Sequence, residues 1–313
     1  MKLKTISEIM KNSESTFMKY NIFTLLKNIK FLLSHNIKEE FRNQKYDMFL
    51  NFEDYCDFEM KENQIEEENR LHILNYEETI ITLLSCPKSF CRFGDGEIEI
   101  MQGKSIPFQK YDKRLADIML TILSDFETDM YVGINYNYFH SSKMLNDYNR
   151  KFYLLDARKY RHFLLDNCTS KRTYIAAAFN QLYMVSNELD YDAYYNKIRL
   201  LFKNRNLAIF VGKGILSKYK YDVFDTCNSK VIIEGPSKDS FTEYDKLLQQ
   251  AKSYEKDTIL CFILGPTSKA LVYELTKLGY TAWDIGHLAK DYDMYMNRQE
   301  KDAKAVSDFY KPD

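Results

Sequence analysis

The sequence predicts an α/β protein: a Rossmann-like, doubly wound, mostly parallel sheet with an N-terminal helical extension. Three observations carry that expectation. All ten glycines lie between Gly94 and Gly286 and the first proline is Pro87, so the first 86 residues hold neither breaker. From about residue 88 onward, short β-branched or aromatic runs end in Gly or Pro and alternate with stretches of helical length. One run, ILCFIL at 259–264, is apolar at every position, as a strand buried on both faces of a parallel sheet must be.

The elements follow in order. Residues 1–74 read as a helical extension and 75–313 as the α/β domain. Within the extension, Met18, Ile22, Leu25, Leu26, Ile29, Leu32 and Leu33 form the stripe of an amphipathic helix, with Lys19, Lys27 and Lys30 off it. Residues 1–45 carry nine Lys/Arg against four Asp/Glu, whereas 46–78 carry two against eleven. A helical cap on the main domain accounts for this best; the other reading lays residues 16–45 on an anionic membrane surface. In the α/β part the expected strands are 90–93, 130–134, 207–211, 231–234, 259–264 and 281–284, with helices at 113–123, 241–252 and 269–278.

Composition narrows the function. Of 313 residues, 44 are Lys or Arg and 45 Asp or Glu, and the net charge of −1 lacks the basic footprint of nucleic-acid binding. Six scattered cysteines form no C-x-x-C and no zinc spacing, which fits reduced thiols. With no secretion signal and no run of about 18 apolar residues, the expected location is the cytoplasm, or the inner membrane face if residues 16–45 bind lipid.

In doubly wound sheets ligands sit beyond the carboxyl ends of the strands, and four such places are rich in chemistry. In Arg92-Phe93-Gly94-Asp95-Gly96-Glu97, two glycines let the backbone bend toward a ligand while Asp95 and Glu97 offer hard oxygen ligands for Mg2+ or Mn2+ shared with a diphosphate. Arg92 would add a fork-shaped phosphate donor. Gly212-Lys213-Gly214 follows a strand and could bring amides and an ammonium to an anion, though no complete Walker A loop is present. Gly265-Pro266-Thr267-Ser268 leads into a helix whose first turn Thr267 or Ser268 could cap. Asp284-Ile285-Gly286-His287 precedes Asp291, and His287 is the one histidine at a predicted strand end beside acids and a glycine. A proton acceptor for an incoming hydroxyl would come from Asp291, His287, Asp284 or Glu234, in that order.

Taken together, R-F-G-D-G-E, V-G-K-G, I-I-E-G-P-S-K and the long L-G-P-T-S-K…A-W-D-I-G-H segment resemble the GT-D fold glycosyltransferases over roughly residues 75–300. The resemblance implies a metal-dependent transferase that uses a nucleotide-sugar donor, typically UDP-glucose, on a glycan or a glycosylated protein or lipid acceptor. It implies Asp95 and Glu97 as the Asp-x-Glu cation motif, flanked by Arg92, Gly94 and Gly96, and it places Gly212, Gly214, Gly265, Pro266 and Thr267 along the donor pocket. After Gly286-His287 the chain reads L-A-K-D-Y where the family commonly has L-D-I-E-Y, so Asp291 offers a carboxylate of shorter reach. No side chain announces itself as a covalent nucleophile, which favours inversion at the anomeric carbon.

Two rival classes remain. A nucleotide-sugar binding module without turnover would bind donor and transfer nothing. A methyltransferase would want a glycine-rich loop at the first strand end, where Asp95-Gly96-Glu97 would instead repel the methionine carboxylate. Tyr131, Tyr136, Tyr138, Tyr174 and Tyr183 cluster in the middle third, but a chain with 25 tyrosines accounts for them without a site. The oligomeric state is not legible.

Overall fold

The structure is a computed structural model that describes residues 71–311, except Ser141 and Glu188, together with Lys30. The amphipathic stripe and the membrane reading of residues 16–45 lie outside the described residues.

Eight strands form a single sheet in the order β1-β4-β3-β2-β8-β7-β5-β6. They are β1 (His72–Ile73), β2 (Ser89–Arg92), β3 (Met130–Ile134), β4 (Thr173–Ala176), β5 (Asn206–Gly212), β6 (Ser229–Gly235), β7 (Ile259–Ile263) and β8 (Ala282–Asp284). Every strand pairing is parallel. All six expected strands are present; β1 and β4 are additions. From β2 the chain winds outward through β3 and β4, then crosses to β5 and returns through β7 and β8 to β2's other side. The winding reverses at the β2–β8 seam, which is where such a sheet leaves a crevice.

The helices are α1 (Tyr76–Ser85), α2 (Asp95–Met101), α3 (Lys113–Ser124), α4 (Asp147–Asn167), α5 (Leu182–Val185), α6 (Tyr191–Leu200), α7 (Tyr244–Ala251), α8 (Thr267–Lys277), α9 (Leu288–Met296) and α10 (Ala303–Phe309). One apolar cluster joins α2, α3, α4, α7 and α8 to one face of the sheet, and a second joins α1, α5, α6, α9 and α10 to the other. Both faces are thus covered, and Leu207–Val211 of β5 and all of β7 are apolar because neither side of them meets water. The longest helix among the described residues, α4, lies in a stretch where the sequence pattern predicts none. Its N-cap Asn146 accepts the Asn149 amide at 3.0 Å, and Tyr153, Leu154, Ala157, Tyr160 and Leu164 make its buried stripe.

Candidate functional site

The seam brings the site together. Phe90 of β2 is in register with Trp283 of β8, and their rings stack with centroids 5.7 Å apart. Two residues beyond Phe90, the Arg92 amide donates to Asp284 Oδ2 at 3.2 Å, so the carboxyl ends of the two strands are tied across the seam. A cavity of about 420 Å³ opens there. It is lined by Arg92 to Glu97, Ile106 to Phe108, Gly265-Pro266, Lys269, Asp284, Gly286 and His287, with Tyr148, Phe152, Tyr153, Gln181, Ile215, Tyr219, Ser237, Ser240 and Tyr310 among the others.

Four charges along this cavity, three of them buried and Glu97 half-buried, alternate in sign. Arg92 Nε donates to the Asp284 carbonyl at 2.9 Å, and Nη1 donates to the Ala177 carbonyl at 2.9 Å and to Asn180 Oδ1 at 2.8 Å. Its Nη2 stands 3.5 Å from Asp284 Oδ1. Asp284 Oδ2 then meets Lys269 Nζ at 3.1 Å, and Lys269 Nζ meets Glu97 Oε1 at 2.7 Å. Glu97 Oε2 accepts the Gly94 amide at 2.9 Å, closing half of a capping box at the start of α2. Burial pushes the Asp284 carboxyl up, but Lys269 and Arg92 outweigh it and hold the group below the usual carboxylate range.

Asp95 differs from Glu97. Among the described residues no ammonium or guanidinium lies within ion-pair distance of it, and burial followed by the Glu97 charge raises its pKa. Asp156 of α4 accepts the Tyr138 hydroxyl at 3.3 Å, and burial and then the Asp95 charge push it up to about 7. A destabilised carboxylate facing a cavity gains from a cation. Asp95, with Glu97 beside it on the same turn, is the acid such an ion would meet; among the described residues no cluster of three or more His, Cys, Asp or Glu side chains is spaced to hold a metal. That donor set fits Mg2+ or Mn2+, which commonly take one or two carboxylates and leave their other positions to phosphate and water.

Several sequence expectations need correction. Arg92 reaches the cavity, but its donors are committed to Asp284, Ala177 and Asn180, so it braces the floor and is no open phosphate fork. Gly212, Lys213 and Gly214 are not among the cavity residues. A Cβ at Gly212 would lie 2.6 Å from Ile215 and 2.8 Å from Ser237, so this glycine lets the cavity wall pack. The Gly214 amide already donates to Glu234 Oε1 at 2.9 Å, where an anion would have to sit. Thr267 is fully buried and outside the cavity, and neither it nor Ser268 caps α8, whose N-cap is Pro266. Gly94, Gly96, Gly265 and Pro266 do line the cavity.

The three acid–base candidates separate. Asp291 is completely buried away from the cavity. Its Oδ2 accepts the Tyr183 amide at 3.0 Å and the Tyr195 hydroxyl at 2.7 Å, and its Oδ1 accepts the Met184 amide at 3.0 Å. It therefore pins the start of α5, and a base role is excluded by position. Asp284 is a carboxylate gripped by two cations and is correspondingly a poor base. His287 lines the cavity beside the rings of Phe108 and Phe309, at 6.3 and 5.2 Å. Gly286 is required between them: its φ is +43°, and a Cβ there would lie 1.8 Å from Arg92 Nη2. We expect Gly286→Ala to destabilise the protein by about 2 kcal/mol in urea unfolding, from backbone strain and overpacking.

Lys269 and Asn180 escaped the sequence reading. A lysine in the first turn of a helix opposes the helix dipole, and that anomaly was the available signal.

A wholly parallel sheet with a charged crevice at its strand-order reversal is the architecture in which α/β proteins bind ligands beyond the carboxyl ends of the strands. Comparison with known proteins narrows this: the family model for the glycosyltransferase GT-D fold matches residues 90–310, and the chain belongs to that family. It is 29% identical over 226 residues to glycosyltransferase GlyD of Streptococcus pneumoniae serotype 4, covering 71% of this chain and 27% of that protein. It is 25% identical over 232 residues to the probable glycosyl transferase Gly of Streptococcus gordonii, covering 73% of this chain and 34% of that protein. The chain therefore spans about a third or less of the length of these relatives. Among solved structures, a glycosyltransferase (DUF1792) from Streptococcus sanguinis matches with a TM-score of 0.68 at 25% identity, over 73% of this chain and 86% of that one. A second, described as domain of unknown function 1792 with a distinct glycosyltransferase fold, matches with a TM-score of 0.69 at 27% identity, over 78% and 86%. Among the described residues no helix is long and apolar enough to cross a membrane.

Proposed function

We propose that the chain transfers a hexose, with glucose the first candidate, from a UDP-sugar to a glycan or a glycosylated protein or lipid acceptor, with Mn2+ or Mg2+ bound at the Asp95-Gly96-Glu97 turn. The observation that carries this reading is the cavity itself: about 420 Å³ at the β2–β8 seam, with Asp95 facing it and unpaired with any cation among the described residues. That volume lies within the range of small-molecule sites.

A divalent ion bound there would offset the negative charge that develops on the departing diphosphate. The chain's own groups do the rest. Asp95 and the first turn of α2 hold the cation, and Gly94, Gly96, Gly265 and Pro266 let the backbone approach the donor. Arg92 and Asp284 keep the ends of β2 and β8 in place. His287, whose side chain lines the cavity where Asp291 does not and which is not gripped as Asp284 is by Arg92 and Lys269, receives the acceptor hydroxyl's proton.

The test is a panel of UDP-sugars assayed for Mn2+-dependent hydrolysis and thermal stabilisation. One UDP-sugar should raise the melting temperature and be turned over only with the ion; equal turnover in excess EDTA would overturn the metal assignment. His287→Ala should lower kcat by about a hundredfold with little change in donor KM, the loss expected for a general base. An unchanged kcat would remove it from that role.

A further inference from the structure

The two acids of the turn are not equivalent, and the reason is a buried lysine. Lys269 is 4% exposed and stands with its ammonium between Glu97 Oε1 at 2.7 Å and Asp284 Oδ2 at 3.1 Å, with the Gly265 carbonyl at 3.4 Å. An ammonium has three donors, and here three oxygens surround it. Glu97 is held from its other side by the Gly94 amide at 2.9 Å, so both of its oxygens are engaged. Charge is balanced along that row: Arg92 and Lys269 against Asp284 and Glu97. Asp95 is left outside that balance.

We propose that Lys269 is the positioning residue of the site: its ammonium locks Glu97 against the Gly94 amide, so that Asp95 alone presents a carboxylate to the divalent cation. Glu97 shapes the turn and is not itself a ligand while Lys269 is in place. The lysine acts through Glu97, and it limits the negative charge the cation meets to that of one carboxylate. This rests on the cation reading above.

The same geometry gives an outcome that a merely structural lysine would not. Replacing Lys269 by methionine keeps a similar apolar stem in the buried slot but removes a positive charge, releasing Glu97 Oε1 and leaving its negative charge uncompensated beside Asp95. A divalent ion should then bind more tightly although transfer becomes slower, because the turn is no longer held in one shape. Loss of a structural lysine alone would weaken binding and activity together.

The experiment measures binding of Mn2+ alone to the full chain, by electron paramagnetic resonance of the free ion, with no donor present. Lys269→Met should bind Mn2+ at least tenfold more tightly than wild type, and Lys269→Arg should bind it within threefold of wild type. Glu97→Gln, whose amide oxygen can still accept from Lys269 while Lys269 keeps Asp284, should also stay within threefold, whereas Asp95→Asn should lose binding by at least thirtyfold. Glu97→Gln serves as the decisive variant should Lys269→Met fail to fold. If Glu97→Gln loses Mn2+ as fully as Asp95→Asn, or if folded Lys269→Met binds it no better than wild type, the lock is wrong while the cation site stands. If wild type itself binds no Mn2+, the cation reading and the lock fall together.

Discussion

Asp95→Ala is expected to lower the rate of sugar transfer by about a thousandfold, the upper range for removing one group that stabilises developing charge. The fold should survive intact. Asp95 stands at the first position of α2, where an acid favours the helix dipole modestly, but its carboxylate is desolvated and repelled by Glu97, so its removal relieves as much strain as it introduces. Thermal unfolding followed by circular dichroism should therefore move by no more than a few degrees while UDP release from the preferred donor collapses. Glu97→Gln should cost far less activity, since its single amide oxygen can still accept from Lys269, although its NH2 cannot replace the acceptor of the Gly94 amide. Turnover by Asp95→Ala within tenfold of wild type would remove this carboxylate from the chemistry.

Asp291→Ala is expected to act on stability, by about 4 kcal/mol, with the specific activity of the folded fraction near that of wild type. The substitution strands two buried amides and one buried tyrosine hydroxyl, each costing about 1–3 kcal/mol when left without a partner. The pH dependence gives a second reading. Burial outweighs the three donors and raises the Asp291 pKa to about 7, above the ordinary value near 4 that it has when unfolded. Between those two values the folded state binds the extra proton, so stability falls as pH rises from about 4 to about 7 and levels off beyond. Asp156, also raised to about 7, contributes a slope of the same sign, so Asp291→Ala should flatten the profile only in part. Urea unfolding at pH 5, 6, 7 and 8 measures this; a variant as stable as wild type but catalytically dead would return Asp291 to the active site.

Much of the architecture was legible because burial on both faces leaves a plain mark. The runs Leu207–Val211 and Ile259–Ile263 are apolar and buried on both sides, and each is a strand; the short run ending at Gly235 was legible from its β-branched residues although it lies on the exposed edge. β4 was hidden because only Tyr174, Ile175 and Ala176 carry its pattern before the chain continues into Ala177 and Ala178 without a break. Helix α4 was hidden by its many charged residues, which dilute a stripe of aromatics that is clear only once the burial is known. At the site, glycines next to acids drew the eye to the first strand end, and Asp95, Glu97, Gly265 and His287 do line one cavity. Motif reading could not tell a glycine that admits a ligand from Gly212, which admits Ile215 and Ser237. Nor could it see that Asp291 faces α5, because which way a helix turns its acids depends on packing from distant parts of the chain.

The stacking of Phe90 on Trp283 also makes the protein self-reporting. Trp283 is the only tryptophan in the chain, is 1% exposed, and donates its indole N–H to the Lys88 carbonyl at 3.0 Å. All indole fluorescence therefore originates one residue from Asp284, so emission should be blue-shifted in the native state, and its intensity offers a label-free signal for titrating nucleotides into the crevice.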